Sequence, residues 1–133
     1  AQRLVRTICP GFAKMKLKDA EVDALGKGVD LKRILEVMKK EKAVDARATL
    51  KDIEWPKPTS TEECPGGYKG RIGIHEIMVP SEAVKNLILK NASSDEIDKQ
   101  ARAEGMVTML EDGFMKAAEG VTTLEEVLRV TSE

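Results

Sequence analysis

Apolar side chains recur at helical spacing through the C-terminal half of this chain and at strand spacing in one clear stretch before it. From Ser81 onward the helical pattern is punctuated by capping signals. Ser81 caps a helix carrying Val84, Leu87 and Ile88. Ser93-Ser94-Asp95-Glu96 fits a capping box, and Gly105 ends that helix. Thr108-Met109-Leu110-Glu111 is a second box, opening a helix with Leu110, Phe114 and Ala117 that stops near Gly120. Thr122-Thr123-Leu124-Glu125 is a third, opening a helix with Leu124, Val127 and Leu128. Four short helices are predicted, none long enough to persist alone, so residues 81–131 are expected to pack as one cluster.

Ahead of the cluster, RIGIHEIM (71–78) predicts a strand with Ile72, Ile74 and Met78 on one face, ended by Pro80. Residues 1–8 place Leu4, Val5 and Ile8 on one side of a short helix, stopped by Pro10 and Gly11. A short helix is expected over 18–25, ending at Gly26. Asp30 is the expected N-cap of a helix over 31–42, with Leu31, Ile34, Leu35 and Met38 as its stripe and Lys39, Lys40 and Lys42 in its last turn. TLKDIEW (49–55) alternates imperfectly as a second strand, and 56–67 reads as a loop rich in Pro, Ser, Thr and Gly. The fold class is therefore mainly α with a small β element: four C-terminal helices preceded by one clear strand. No internal repeat is visible.

Composition narrows the function classes. Lys and Arg number 22 against 23 Asp and Glu, so no global field attracts nucleic acid or an anionic membrane. Phe12, Trp55, Tyr68 and Phe114 are the only aromatic rings besides His75, so the core rests on aliphatic residues and six Met used as filler. No apolar run is long enough to span a membrane, and no secretory signal is visible. The start at Ala1, inside a patterned segment and without Met, suggests an excised fragment. Without an export signal, a reducing cytoplasm is the simpler assumption for Cys9 and Cys64, which are too few for a disulfide framework.

Candidate chemistry is sparse. No G-x-x-x-x-G-K-[ST] loop occurs, and Gly26-Lys27-Gly28 lacks its spacing and its hydroxyl. The chain by itself is thus expected neither to bind ATP at micromolar concentration nor to hydrolyse it. Structural zinc needs four ligands. Cys9, Cys64 and His75 supply three at most, which favours two buried or half-buried thiols acting as small apolar groups. Asp98, Glu104, Glu111 and Asp112 read as solvated or capping carboxylates. The segment Gly66-Gly67-Tyr68-Lys69-Gly70-Arg71 offers two readings of equal weight: a loop that brings Lys69 or Arg71 to a phosphate, or a hinge turn with solvated cations. A KH-type clamp on RNA fits the letters of Gly67-Tyr68-Lys69-Gly70 but not the context, since that clamp joins two helices and this segment leads into a strand.

Three segments carry a family resemblance. GYKGRIGIHEIM (67–78) resembles the G-Y-[KR]-G-R-x-G-I-x-E segment of the hexameric type II secretion and type IV pilus-assembly ATPases. EDGFMKAAEGVTTLEEVLRVT (111–131) resembles the C-terminal end of that family. AQRLVRTICP (1–10) resembles the helix leaving its nucleotide-binding core for a tetracysteine zinc module; residues 13–62 show no clear match. The resemblance implies residues 1–10 leaving a missing ATPase core, a degenerate zinc-module-like insertion over 11–66, and a strand with C-terminal helical domain over 67–133. It implies a parent using ATP and Mg²⁺ for protein transport, as a cytoplasmic homohexamer held at the inner membrane face by an integral-membrane platform protein. Within that assembly Arg71, supported by Gly67, Tyr68, Lys69 and Gly70, is expected to approach nucleotide phosphate. Cys9 and Cys64 are remnants of the tetracysteine set, so zinc is not expected. A small separate core around Ile34, Leu35, Met38 and Trp55 is expected in its place. The alternative is a free-standing helical adaptor that binds a protein partner; neither reading involves nucleic acid.

Overall fold

The computed structural model describes residues 1–132. Six helices and four short strands follow one another as β1 (Gln2–Ile8), β2 (Ala13–Met15), α1 (Asp19–Gly26), α2 (Leu31–Lys40), β3 (Trp55–Lys57), β4 (Tyr68–His75), α3 (Glu82–Leu89), α4 (Ser94–Ala103), α5 (Met109–Ala118) and α6 (Leu124–Thr131). β1 pairs antiparallel with β4, and β2 with β3. The chain is mainly α, as its pattern predicts, with two small ladders where one clear strand and one imperfect strand were expected.

The largest correction concerns residues 1–8, expected as a helix and found as strand β1. The reason is tertiary. An isolated two-turn helix has little stability, whereas the ladder with β4 gives this backbone its partners and buries Val5 completely. β4 runs from Tyr68 to His75 rather than over 71–78, and Met78 lies outside it, exposed. The expected strand over 49–55 is mostly a turn, because the Asp52 carboxylate accepts from both the backbone N–H and the hydroxyl of Thr49, at 2.9 and 3.0 Å. That local bond competes with any ladder, and only Trp55 onward pairs.

The caps fall largely where the sequence places them. Asp30, Ser81, Ser93, Thr108 and Thr123 each accept a backbone N–H of the first turn. The third expected box is found as a single cap one residue later, at Thr123: the Thr122 hydroxyl donates to the Arg6 carbonyl at 2.7 Å, and the Glu126 carboxylate is engaged by Arg6 and Arg129.

One core joins the parts. Val5, Ile34, Met38, Trp55, Ile74, Phe114, Ala117 and Val127 belong to a single buried cluster. The Trp55 and Phe114 rings meet edge to face with centroids 6.0 Å apart. The insertion therefore has no core of its own around Ile34, Leu35, Met38 and Trp55; those residues pack on α5 and its neighbours. The four C-terminal helices likewise divide into pairs. α5 and α6 sit in the core, and Gly113 lets them approach so closely that a Cβ there would lie 2.4 Å from Val127 Cγ1. α3 packs on α4 and leaves Ile88 and Leu89 exposed.

Candidate functional site

The Gly-Tyr-Lys-Gly-Arg segment is the start of β4, and each of its residues has a definable structural task. Gly67 has φ +85°, and a Cβ on it would fall 2.8 Å from Pro58 Cβ and 2.9 Å from Thr59 N. It is thus a point of close backbone approach to the insertion. Beyond it the register shifts. Ile8 faces Tyr68 and Arg6 faces Arg71, so Lys69 and Gly70 together oppose the single residue Thr7. Gly70, at φ +81°, supplies the left-handed position of this bulge, and the Thr7 hydroxyl donates to the Lys69 carbonyl. The bulge ends by placing Arg71 directly across the ladder from Arg6.

Tyr68 ties this strand to α6. Its hydroxyl lies 2.7 Å from Thr123 Oγ1, the N-cap of that helix, and the Arg6 guanidinium stacks 4.3 Å above its ring centroid. Arg6 is anchored from its other edge by Glu126. The Glu126 side chain is 1% exposed and accepts from Arg6 Nε (3.1 Å), Arg6 Nη2 (2.9 Å), the Arg6 backbone N–H (3.1 Å) and the guanidinium of Arg129. Burial pushes the Glu126 carboxyl upward, but the hydrogen bonds from Arg129 and Arg6 outweigh it and hold its pKa at about 2. The bond to Glu126 in turn raises the Arg6 guanidinium above its ordinary value. One buried carboxylate thus carries two arginines.

Arg71 differs from both. It is exposed, and no side-chain partner engages it among the described residues. Like charges placed directly opposite each other in a ladder repel. Arg6 has Glu126 as counter-ion and Arg71 has none, so this face presents an unbalanced guanidinium on a rigid strand. Lys69 is also exposed, but it precedes the bulge.

A second buried pair lies on the opposite side of α5. Glu111, expected as a solvated or capping carboxylate, is 1% exposed. Its Oε1 does cap Thr108 N at 2.8 Å, while its Oε2 receives Arg33 Nε at 3.1 Å. Arg33 continues to the carbonyls of Arg102 and Met106, joining α2 to the end of α4. Asp112 is paired with Lys116 at 2.9 Å and accepts from the His75 N–H. His75, Asp112 and Lys116 border a cleft of about 680 Å³ also lined by Ile77, Val79 and Met106. Within that cleft Asp112 and Lys116 satisfy each other.

The cysteines are a further correction. Cys9 and Cys64, read from the sequence as separate thiols, are joined by a disulfide, with Cα atoms 6.7 Å apart. The zinc implied by the resemblance does not fit these residues. Both sulfurs are committed to each other, and no three His, Cys, Asp or Glu side chains among the described residues are grouped to hold an ion.

Sequence reasoning singled out Arg71 and its glycines as candidates and did not single out Arg6, Glu126 or Arg129. Glu126 sits in the first turn of a capped helix, where an acid is ordinarily a solvated partner of the helix dipole. Only the pairing of β1 with β4 brings Arg6 to it.

These residues form one unit, the β1–β4 ladder with Arg71 exposed on β4, joined to α6 through the Arg6–Glu126 cluster and the Tyr68–Thr123 contact. Comparison with known proteins gives that unit its family. The Type II/IV secretion system protein family matches residues 1–129, and the chain belongs to it. The match runs through 13–62, where the sequence pattern alone shows no resemblance. The chain is 35% identical over 133 residues, its whole length, to the type II secretion system ATPase E of Vibrio cholerae, covering 23% of that protein. It is 37% identical over 134 aligned positions to the type II secretion system protein E of Pseudomonas aeruginosa, again covering all of this chain and 23% of the relative. It is 43% identical over 89 residues to the type IV pilus assembly ATPase PilB of Thermus thermophilus, covering 66% of this chain and 10% of that protein. The chain thus spans a quarter or less of the length of these relatives. Among the described residues no helix is long and apolar enough to cross a membrane.

Proposed function

We propose that this chain is the C-terminal, post-catalytic part of a secretion or pilus-assembly ATPase, and that it presents Arg71 to nucleotide phosphate in the assembled motor. The reading rests on one observation above the rest: Arg71 is exposed, engaged by no side chain among the described residues, and set directly after a bulge in a strand that Tyr68 ties to α6. A guanidinium so placed engages phosphate oxygens through paired hydrogen bonds. Its charge repels Arg6 until an anion arrives. The names of the relatives supply the rest of the reading, an ATPase of type II secretion or type IV pilus assembly.

In this reading the chain alone performs no hydrolysis. Its partners are its own ATPase core, neighbouring subunits of a homohexamer and an integral-membrane platform protein at the cytoplasmic face. ATP and Mg²⁺ belong to the core, whose phosphates Arg71 would help hold. What these residues contribute is orientation: Tyr68 and Glu126 fix Arg6, and the bulge at Gly70 aims Arg71. A helical adaptor is the second reading, favoured by the exposed Ile77, Val79 and Leu89.

The test is Arg71→Ala and Arg71→Lys in a protein carrying this chain together with its ATPase core. Melting temperature and hexamer size are expected to hold, because exposed side chains without partners contribute within about 0.5 kcal/mol. ATP turnover is expected to fall on the order of 10³-fold, as when a charge-stabilising arginine is lost from phosphoryl transfer. Lysine is expected to rescue poorly, lacking the fork. Normal assembly with full turnover in both variants would remove the phosphate role.

A further inference from the structure

We propose that Cys9 and Cys64 form a reversible exchange site for low-molecular-weight thiols and disulfides, and that its state sets how firmly the turn around Cys64 is held against β1 and the start of the strand carrying Arg71. The consequence for Arg71 rests on the function proposed above. The exchange chemistry and the local opening stand on the two sulfurs alone.

The placement of the bond is what suggests a device rather than a general staple. Cys9 directly follows β1, and Cys64 opens the turn that leads into β4. The bond therefore closes the two stems of the insertion at their base, across a sequence separation of 55. Few other ties act at that point: the Cys9 N–H donates to the Gly67 carbonyl at 2.9 Å, and the bulge follows. The turn around Cys64 is held from its own side. Thr61 and Cys64 exchange backbone hydrogen bonds, the Thr61 hydroxyl accepts from Cys64 N at 3.0 Å, and Gly67 abuts Pro58 and Thr59. The body of the insertion is held elsewhere again, through Met38, Trp55 against Phe114, and Arg33 against Glu111. Breaking the disulfide accordingly frees the turn from β1 without dissolving the core. Tyr68, whose ring carries Arg6, lies only four residues beyond Cys64.

The two cysteines are not equally covered. Cys9 is half-buried and Cys64 is buried, 7% exposed. An incoming thiolate thus reaches the Cys9 sulfur. It forms a mixed disulfide there while the bonding pair of the old S–S bond leaves on the Cys64 sulfur. A second thiolate attacks the outer sulfur of the mixed disulfide and expels the Cys9 thiolate. Both cysteine sulfurs then take protons, two external thiols having been oxidised to one external disulfide. Closure is the reverse, with an external disulfide as the oxidant. The freed Cys64 sulfur stays beside the mixed disulfide, because the Thr61–Cys64 bonds and the Cys9–Gly67 hydrogen bond keep the two stems together, so re-closure competes with the second exchange and the mixed form does not accumulate.

The test equilibrates the purified chain in mixtures of reduced and oxidised glutathione, then counts alkylatable thiols by mass and follows amide exchange. Thiols are expected to appear in pairs, none or two per chain. In the reduced form, amides at Cys9 and Gly67–Gly70 are expected to exchange about tenfold faster or more, while those of α2 and α5 stay unchanged. A Cys9→Ser, Cys64→Ser double variant is expected to show the reduced pattern in every mixture. Three results would each overturn the proposal: a disulfide that persists in millimolar reduced glutathione, reduction with no change at Cys9 and Gly67–Gly70, or acceleration spread equally through α2 and α5. The last would mark a plain structural cross-link. No readout here involves ATP, so failure would leave the Arg71 reading standing, and an active Arg71→Ala protein would leave this one standing.

Discussion

Glu126 holds Arg6, the ladder partner of Arg71, and its energetics can be tested directly. With its folded pKa held at about 2, its pairing with Arg129 and Arg6 contributes stability that is fully present above the ordinary carboxylate range. That contribution declines as pH falls from about 4.5 and is gone near the folded value. The shift corresponds to roughly 2–3 kcal/mol, discounted because both arginines remain half in water. Glu126→Gln is expected to lose about that much in urea unfolding at neutral pH, and the gap to the native protein is expected to close toward pH 2–3. A gap independent of pH would show that Glu126 acts through packing and not charge. The same residue shows where sequence stops being informative. The segment 66–71 stood out in the sequence because glycines, a ring and cations cluster within six positions, and the structure forms a bulged strand start there. Glu126 did not stand out, because Arg6 lies 120 residues away in sequence and one acid in a helix's first turn looks like any other.

The helices were legible element by element because their ends are written locally: a hydroxyl or carboxylate caps α2 to α6, and Gly105 and Gly120 follow with positive φ. β1 was not, because its conformation is decided by β4, on the far side of the insertion. The turn at Thr49–Asp52 was misread for the opposite reason, a local side-chain bond that overrides a passable apolar alternation. Helix contact is a third case. Gly113 in mid-α5 costs helix propensity, and its reason is the neighbouring helix: α6 presses Val127 into the space a Cβ would occupy. Gly113→Ala gains propensity yet is expected to destabilise by about 1–3 kcal/mol through overpacking. Thermal unfolding checks the sign. A rise in melting temperature would mean that α5 and α6 part easily and that the α6 cap does not hold Tyr68 firmly.

At the scale of the molecule, the insertion and the C-terminal helices share one core, and this has a consequence for unfolding. Sequence division into a small module and a separate helical domain predicts two transitions, each with its own midpoint. A single cluster running from Met38 and Trp55 through Phe114 to Val127, with Arg33 clamped on Glu111 across the same boundary, predicts one. Trp55 makes the distinction measurable. It is the only tryptophan, it is 1% exposed, and it sits on the insertion side against Phe114 of α5. Its fluorescence reports the insertion, while far-UV circular dichroism is weighted toward the helices. With the disulfide intact the two signals are expected to trace one coincident curve in urea. Phe114→Ala removes a fully buried ring at the joint, at an expected cost of about 3–5 kcal/mol. If the core is shared, both curves shift together to lower denaturant. If the halves are independent, the variant moves the helical transition and leaves the Trp55 transition almost in place. Cooperative unfolding would also bear on function, because a load applied to the insertion would then reach α5, α6 and the strand holding Arg71 through packed side chains rather than through a flexible link.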